Sequence, residues 1–325
     1  MYHQARYFIL RRFVEIIPLI LGVIIINFSL IHIAPGDPAM VLAGEFQAGP
    51  EVLEQLRQEF GLDRPLYEQF IVYLRKVFTG DFGYSHRYRA PVLSLIMSRL
   101  PNTLLLIAVS FVLSFLMGVV LAAFASKKPN SILDNSISSL SMIGYCLPTF
   151  WTGMMLLTIF SLRLEWFPSG GMQSLKTQFT GIYSILDQVR HLFLPTVTFS
   201  AFFLAVSYRL TRAKMIEILR EDFITTARSK GLTENEVLFR HALRNSLVPV
   251  IAVMGLNLGV MIGGSVTIET VFSWPGIGRL MYDSILSRDY PLLLGIFIVV
   301  SIGVILANLV ADIITVILDP RIEYR

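Results

Sequence analysis

The sequence predicts an all-α integral membrane protein with six transmembrane helices and both termini in the cytoplasm. Three observations carry that prediction. Hydrophobic residues make up 54% of the 325-residue chain and charged residues 15%, whereas a soluble domain is about 25% charged. Apolar residues gather in six long runs, and a helix needs roughly 20 of them to cross the hydrocarbon. Positive charge is concentrated on alternate connections between those runs. The mean hydropathy of +0.65 agrees. Together these exclude a soluble enzyme, a disordered tail and a nucleic-acid binder. The 27 Lys and Arg exceed the 23 Asp and Glu by only four, spread over many loops. The single cysteine, Cys146, excludes an internal disulfide. His3, His32, His86, His191 and His241 are far apart and lack metal-ligand spacing.

The six runs cover about 16–33, 100–125, 137–162, 192–208, 247–268 and 292–318. The first follows Arg6, Arg11 and Arg12, as a signal peptide would. It is longer than a typical signal core and ends without a small-x-small cleavage site, so it reads as a retained span. The third is interrupted by Pro148. With the N-terminus inside, the inner segments hold 15 Lys and Arg in about 67 residues, and the two short outer segments hold 5 in about 48. That asymmetry sets the orientation.

Two connections are long. Residues 34–100 open with the Pro/Gly cluster APGDPA, followed by Val52, Leu53, Leu56 and Phe60 before Gly61. That spacing suits a short amphipathic helix with a glycine stop, within a small folded outer element. The inner connection, 209–245, holds a first helix that can run to Lys230. Gly231 supplies the left-handed residue that closes many helices. Thr233 and Glu236 then form a capping-box pattern, and Val237, Leu238 and Leu243 give the next helix an apolar face. Two short helices meeting at a fixed glycine corner follow. Capping alone suits a simple connector as well as a docking surface.

The segment DFITTARSKGLTENEVLFRHALRNSLVPV, Asp222–Val250, resembles the cytoplasmic signature loop of ABC-importer permeases. Aligned on Gly231, the E-A-A positions of that loop fall on Thr225, Thr226 and Ala227. Its I-x-L-P positions fall on His241, Ala242, Leu243 and Arg244. Ala227, Gly231 and Leu243 match the general pattern, and the departures agree with the dipeptide/oligopeptide/nickel branch. APGDPA, LGLDRPLYEQFIVYL, GDFGYS, ETVFSWPGIGRL, RDYPL and DPRIEYR are similar to that branch in the same order. The likeness is to the B-type transmembrane subunit and covers essentially the whole chain. It implies an ABC importer type I permease fold, with residues 1–99 holding the tail, first span and outer segment, and 100–325 the permease core.

The resemblance further implies a multi-subunit importer: a second homologous permease, two ABC ATPases, and an extracytoplasmic solute-binding protein. No cofactor is expected on this chain, and ATP and Mg belong to the ATPases. The sequence has no G-x-x-x-x-G-K-[ST] loop with which to cradle ATP phosphates. The expected cargo is peptides, with nickel chelates, glutathione-like compounds or oligosaccharides as the alternative.

The expected ATPase contact is Thr225, Thr226, Ala227, Arg228, Lys230, Gly231, Leu232, Thr233, Glu236, Arg240 and His241. Arg228, Lys230, Arg240 and Arg244 fit acidic partners on an ATPase, and fit equally the role of positive-inside anchors. In the fifth run Gly255, Gly259, Gly263 and Gly264 include G-x-x-x-G pairs, which allow close helix packing or leave room for a passage. Asn257, Met261 and Ser265 are the expected path residues. Glu15 and Glu269 read as interfacial. Asp312 lies within the sixth run, where an ionisable residue is a functional hypothesis. Arg209 is its expected partner, in a static pair or a gating latch. The outer element and the WPGIG loop, 274–278, are expected to face the binding protein. An ion-gradient transporter is the main rival, although no internal repeat is visible. An intramembrane enzyme would need a motif such as H-E-x-x-H, which is absent.

Overall fold

The computed structural model describes residues 2–33, 39–40, 49–60, 62–85, 87–174 and 180–318. Residues 34–38, Gly61 and the C-terminal 319–325 lie outside them. The described chain is almost entirely helical. It begins with α1 (Tyr2–Ile33), α2 (Pro50–Phe60) and α3 (Leu66–Thr79). A two-residue-per-strand hairpin follows, with β1 (Tyr84–Ser85) antiparallel to β2 (Ala90–Pro91). Then come α4 (Val92–Ser126), α5 (Ile132–Cys146) and α6 (Thr149–Leu156), which continues as a π-helical turn over Leu157–Arg163. The remainder is α7 (Ile182–Ile218), α8 (Asp222–Ser229), α9 (Glu234–Glu236), a π-helical segment Val237–Leu243, α10 (Arg244–Val271), α11 (Ile277–Leu286) and α12 (Tyr290–Leu318).

Among the described residues, five helices are long and apolar enough to span a membrane: α1 over Val14–Ile33, α4, α7, the continuous stretch Glu234–Val271, and α12 over Tyr290–Thr315. A sixth span requires α5 and α6 to count together, and these are bent by 103° at their junction. The expected third run is therefore a sharply broken pair. Its cause is local. Leu147 is extended (φ −73°, ψ 134°) ahead of Pro148, which caps α6, as the residue before proline is pushed out of the helical region. Pro18, Pro101, Pro195 and Pro249 remain inside helices. Membrane helices tolerate such prolines when neighbouring groups satisfy the freed carbonyls.

The chain divides into two compact units. One comprises residues 1–5, 105–274 and 306–325. Its core joins Leu106 and Ile107 of α4, Phe199 and Phe203 of α7, and Met254 and Ile268 of α10. Phe272 and the fully buried Trp274 close it. Small residues set the closest approaches. A Cβ on Gly118 would lie 2.6 Å from Ser207 Cβ and 2.9 Å from the Tyr208 backbone nitrogen. A Cβ on Gly255 would lie 2.6 Å from Ala311 Cβ. Of the expected small-residue positions, Gly255 is thus a true packing contact. Gly264 has ordinary room beside Phe199, and Gly263 has nothing within 4 Å. Gly118→Leu should lower the monodisperse yield in detergent, because overpacking costs about 1–3 kcal/mol. Gly22→Leu should not, since a Cβ there meets nothing within 4 Å. Equal losses for the two would refute the close-packing account.

The second unit comprises residues 6–104 and 275–305. Ile24 and Ile31 of α1 pack with Tyr73 of α3 and with Leu294 and Ile298 of α12. Val92 and Ile96 pack with Ile277, Leu280 and Ile296. Polar ties reinforce this. Asn102 Nδ2 donates to the Pro275 carbonyl (2.8 Å), and the Ile277 amide donates to Thr103 Oγ1 (2.8 Å). Ser85 Oγ donates to the Asp289 carboxylate at 2.5 Å. The two ring nitrogens of His32 lie 2.9 Å from the Phe28 carbonyl and 2.9 Å from Gln69 Oε1.

Candidate functional site: a glycine corner and its footing

The corner forms as its residues dictate. α8 starts after Glu221 and stops at Lys230, and Gly231 turns the chain at φ +81°. Its amide donates to the Arg228 carbonyl (2.9 Å). Thr233 then caps α9 with a complete capping box. The Thr233 amide donates to Glu236 Oε2 (2.9 Å), and the Glu236 amide donates to Thr233 Oγ1 (3.4 Å). Two orphan amides at the helix start are satisfied reciprocally. The arrangement departs from two short helices in one respect. The first expected helix is divided at 219–221, and the second runs on without a stop through the π-helical segment into α10.

An apolar base holds the corner. Ile224 and Ala227 of α8 pack with Val237, Leu238 and Ala242, and these rest on Met215 of α7 and Ala123 of α4. Leu232 packs against this cluster, which also receives Leu243. Arg228 bridges the corner to Glu234 through two contacts, Nε–Oε1 at 2.9 Å and Nη2–Oε2 at 3.2 Å. Both side chains are exposed, so the pair sets orientation more than stability. Lys127, just past α4, reaches Asn235 Oδ1 at 2.9 Å and lies over the rings of Phe124 and Phe239.

The expected contact residues separate by face. Thr225, Thr226, Arg228, Lys230, Gly231, Thr233, Glu236 and Arg240 are exposed, Leu232 and His241 are half-buried, and Ala227 is buried. The exposed Phe223 and Phe239 belong to the same surface and were missed in the sequence. Their signal was an aromatic at a polar position of an amphipathic turn.

A second missed feature is the ion pair beneath. Asp134, on the first turn of α5, is fully buried. Arg212 of α7 grips it with Nε–Oδ1 and Nη2–Oδ2 contacts of 2.6 Å each. The Asn130 amide donates to Oδ2 (2.8 Å), and Tyr208 Oη donates to Oδ1 (3.3 Å) while also meeting Ser138 Oγ (2.8 Å). Asn130 takes a left-handed conformation, φ 64°, to aim that amide. The carboxylate thus keeps four donors where water is excluded, the condition under which a buried charge is tolerated.

The other expected residues are placed as follows. Met261 and Ser265 are buried within the chain, Met261 in the main core and Ser265 bonded to the Ile262 carbonyl (3.0 Å). Their side of α10 faces the chain's own core. Asn257 is half-buried and bonds the Val253 carbonyl (2.9 Å). The open side of α10 carries Val253, Leu256, Val260, Gly263 and Gly264. Glu269 lies two residues before the end of α10 and is fully buried by the chain. Glu15 is paired with Arg11 (2.9 Å) and Arg12 (3.1 Å). Arg209 lies over the Tyr145 ring, 5.7 Å from its centroid.

The corner is exposed and capped, sits on an apolar base, and runs directly into the long helix α10. Residues 114–324 match the family described as "Binding-protein-dependent transport system inner membrane component", and residues 5–108 match the N-terminal family of such membrane components. The chain belongs to this family. It is a permease subunit. The oligopeptide transport system permease protein AppB of Bacillus subtilis (strain 168) is 42% identical over 318 residues, covering 98% of this chain and 99% of the relative. The dipeptide transport system permease protein DppB of Escherichia coli (strain K12) is 37% identical over 335 residues, with the same coverage. The glutathione transport system permease protein GsiC of the same strain is 37% identical over 318 residues, again with 98% and 99% covered. The permease also shares its fold with a chain in a solved structure of the MetNI methionine ABC transporter. There the TM-score is 0.56 and the identity 16%, over 70% of this chain and 97% of the other.

Proposed function

We propose that this permease forms half of the translocation path of an ATP-driven importer of peptides, di- or oligopeptides above all. The observation that carries this reading is end-to-end likeness to relatives named as oligopeptide and dipeptide permeases, at 42% and 37% identity. The chain crosses the cell membrane six times, with α5 and α6 as the broken third crossing and both termini cytoplasmic, as the charge asymmetry supports. A second homologous permease completes the path. Two ABC ATPases bind and hydrolyse ATP with Mg, and an extracytoplasmic solute-binding protein delivers the cargo.

The corner at Gly231 docks into an ATPase. Its capped, apolar-based geometry supports that role, since a coupling element must transmit force without changing shape. Motion then passes to α10 directly, because the corner and that helix are one continuous stretch, and to α7 through Met215. The open side of α10, with Leu256, Val260 and Gly263, meets the path or the second permease. Arg209 and Asp312 form the gating ion pair.

The test is uptake in proteoliposomes holding this chain, its neighbouring permease and the two ATPases, with no ion gradient. Labelled di- and oligopeptides supplied with the binding protein should accumulate only with internal ATP. Accumulation driven by an imposed gradient without ATP would overturn the reading. Transport of glutathione in preference to dipeptides would move the cargo to the reading favoured by the GsiC likeness.

A further inference from the structure

Helix α3 carries two apolar faces, and among the described residues only one of them is packed against the chain. Phe70, Tyr73 and Val77 pack on α1 and α12. Tyr67, Ile71 and Phe78 are 65%, 60% and 70% exposed. At 3.6 residues per turn these three lie within roughly 40° of one another. The next strip round the helix is polar, with exposed Arg75 and Thr79 beside half-buried Glu68. The open side of α3 is therefore split lengthwise into an apolar edge and a polar edge, the pattern of helices that lie in a membrane interface.

The depth of α3 is fixed by what it touches. The Phe28 ring lies 5.3 Å from Phe70 and 5.9 Å from Tyr73, centroid to centroid. Phe28 is five residues inside the end of the span Val14–Ile33, or about 7.5 Å at 1.5 Å per residue. The Phe70–Tyr73 turn of α3 thus flanks the last turns of a membrane span. At the same level α1 exposes Ile25, Ile26 and Leu30, so the open stripe continues an apolar span surface.

We propose that α3 is a membrane-interface helix, with Tyr67, Ile71 and Phe78 seated among lipid acyl chains and Arg75 at the headgroup level. The helix anchors the outer element against the bilayer and holds the segment before β1 at a fixed height. This does not depend on cargo or on the docking of the corner.

Spin labels test it. Cys146 is the single cysteine and is exposed, so Cys146→Ser gives a clean background. Ile71→Cys, Phe78→Cys and Arg75→Cys are labelled separately in the assembled transporter in lipid nanodiscs. Collision with oxygen, which concentrates in lipid, is compared with collision with a water-soluble nickel chelate. The oxygen-to-nickel ratio should be several-fold higher at 71 and 78 than at 75. Equal ratios would place the stripe in water, as for a surface reserved for the binding protein. Labels at both 71 and 78 shielded from both reagents would mean that the second permease covers it. Either result overturns the proposal.

Discussion

Gly231→Val is expected to release the ATPase from detergent-purified complexes and to abolish uptake, while membrane insertion and pairing with the second permease persist. The reason is conformational and not steric. A Cβ at position 231 meets nothing within 4 Å, yet the backbone sits at φ +81°. A left-handed backbone costs an L-residue about 1–2 kcal/mol, and a β-branched side chain is a sharper outlier there. Since 1–2 kcal/mol is a factor of roughly 5–30 in a two-state ratio, the docking shape loses that factor against any competing turn. Asparagine tolerates this region, so Gly231→Asn should retain most ATPase binding, with Gly231→Ala between the two. Retention in all three would show that the shape of the corner does not govern docking. A uniform loss in all three, asparagine included, would point to contact with the glycine backbone itself.

The legible parts of this protein are those fixed by local chemistry. Gly231 and the Thr233–Glu236 box are readable because a helix stop, a left-handed residue and a cap lie within six positions. The break at Pro148 is readable for a similar reason. That Pro18, Pro101, Pro195 and Pro249 do not break their helices is not, because the compensation comes from neighbours distant in sequence. The facing of α10 is subject to the same limit. Met261 and Ser265 stand out as polarisable or polar within an apolar run, but which side of α10 meets the chain's own core depends on packing against α7. Asp134 is the clearest case. Its partner is 78 positions away, and in the sequence it is one charge among the polar residues after Lys127 and Lys128. Its burial appears only when α5 is laid against α7.

Arg212→Ala is expected to be the most destabilising single change near the corner. Asp134 is completely buried, whereas the Arg212 side chain keeps 26% of its exposure. Breaking a buried pair from one side costs about 3–5 kcal/mol, because an uncompensated charge remains. Removing Arg212 leaves that charge on Asp134 with only the Asn130 amide and the Tyr208 hydroxyl as donors. Removing the acid is milder, since Arg212 can turn its guanidinium to solvent, and Asp134→Asn also keeps an acceptor for the Asn130 amide. Combining Asp134→Asn with Arg212→Met removes both charges, and replacing both ends of such a pair is often neutral. The melting temperature of the solubilised protein, followed by size-exclusion chromatography after heating, should therefore fall most for Arg212→Ala, less for Asp134→Asn, and recover in the double variant relative to Arg212→Ala. Equal shifts for the two single variants would mean that the pair acts as a surface contact. The order also bears on coupling. Met215, which supports the corner, lies one turn beyond Arg212 on α7, so a loosened pair should weaken ATPase docking even though no residue of the corner has changed.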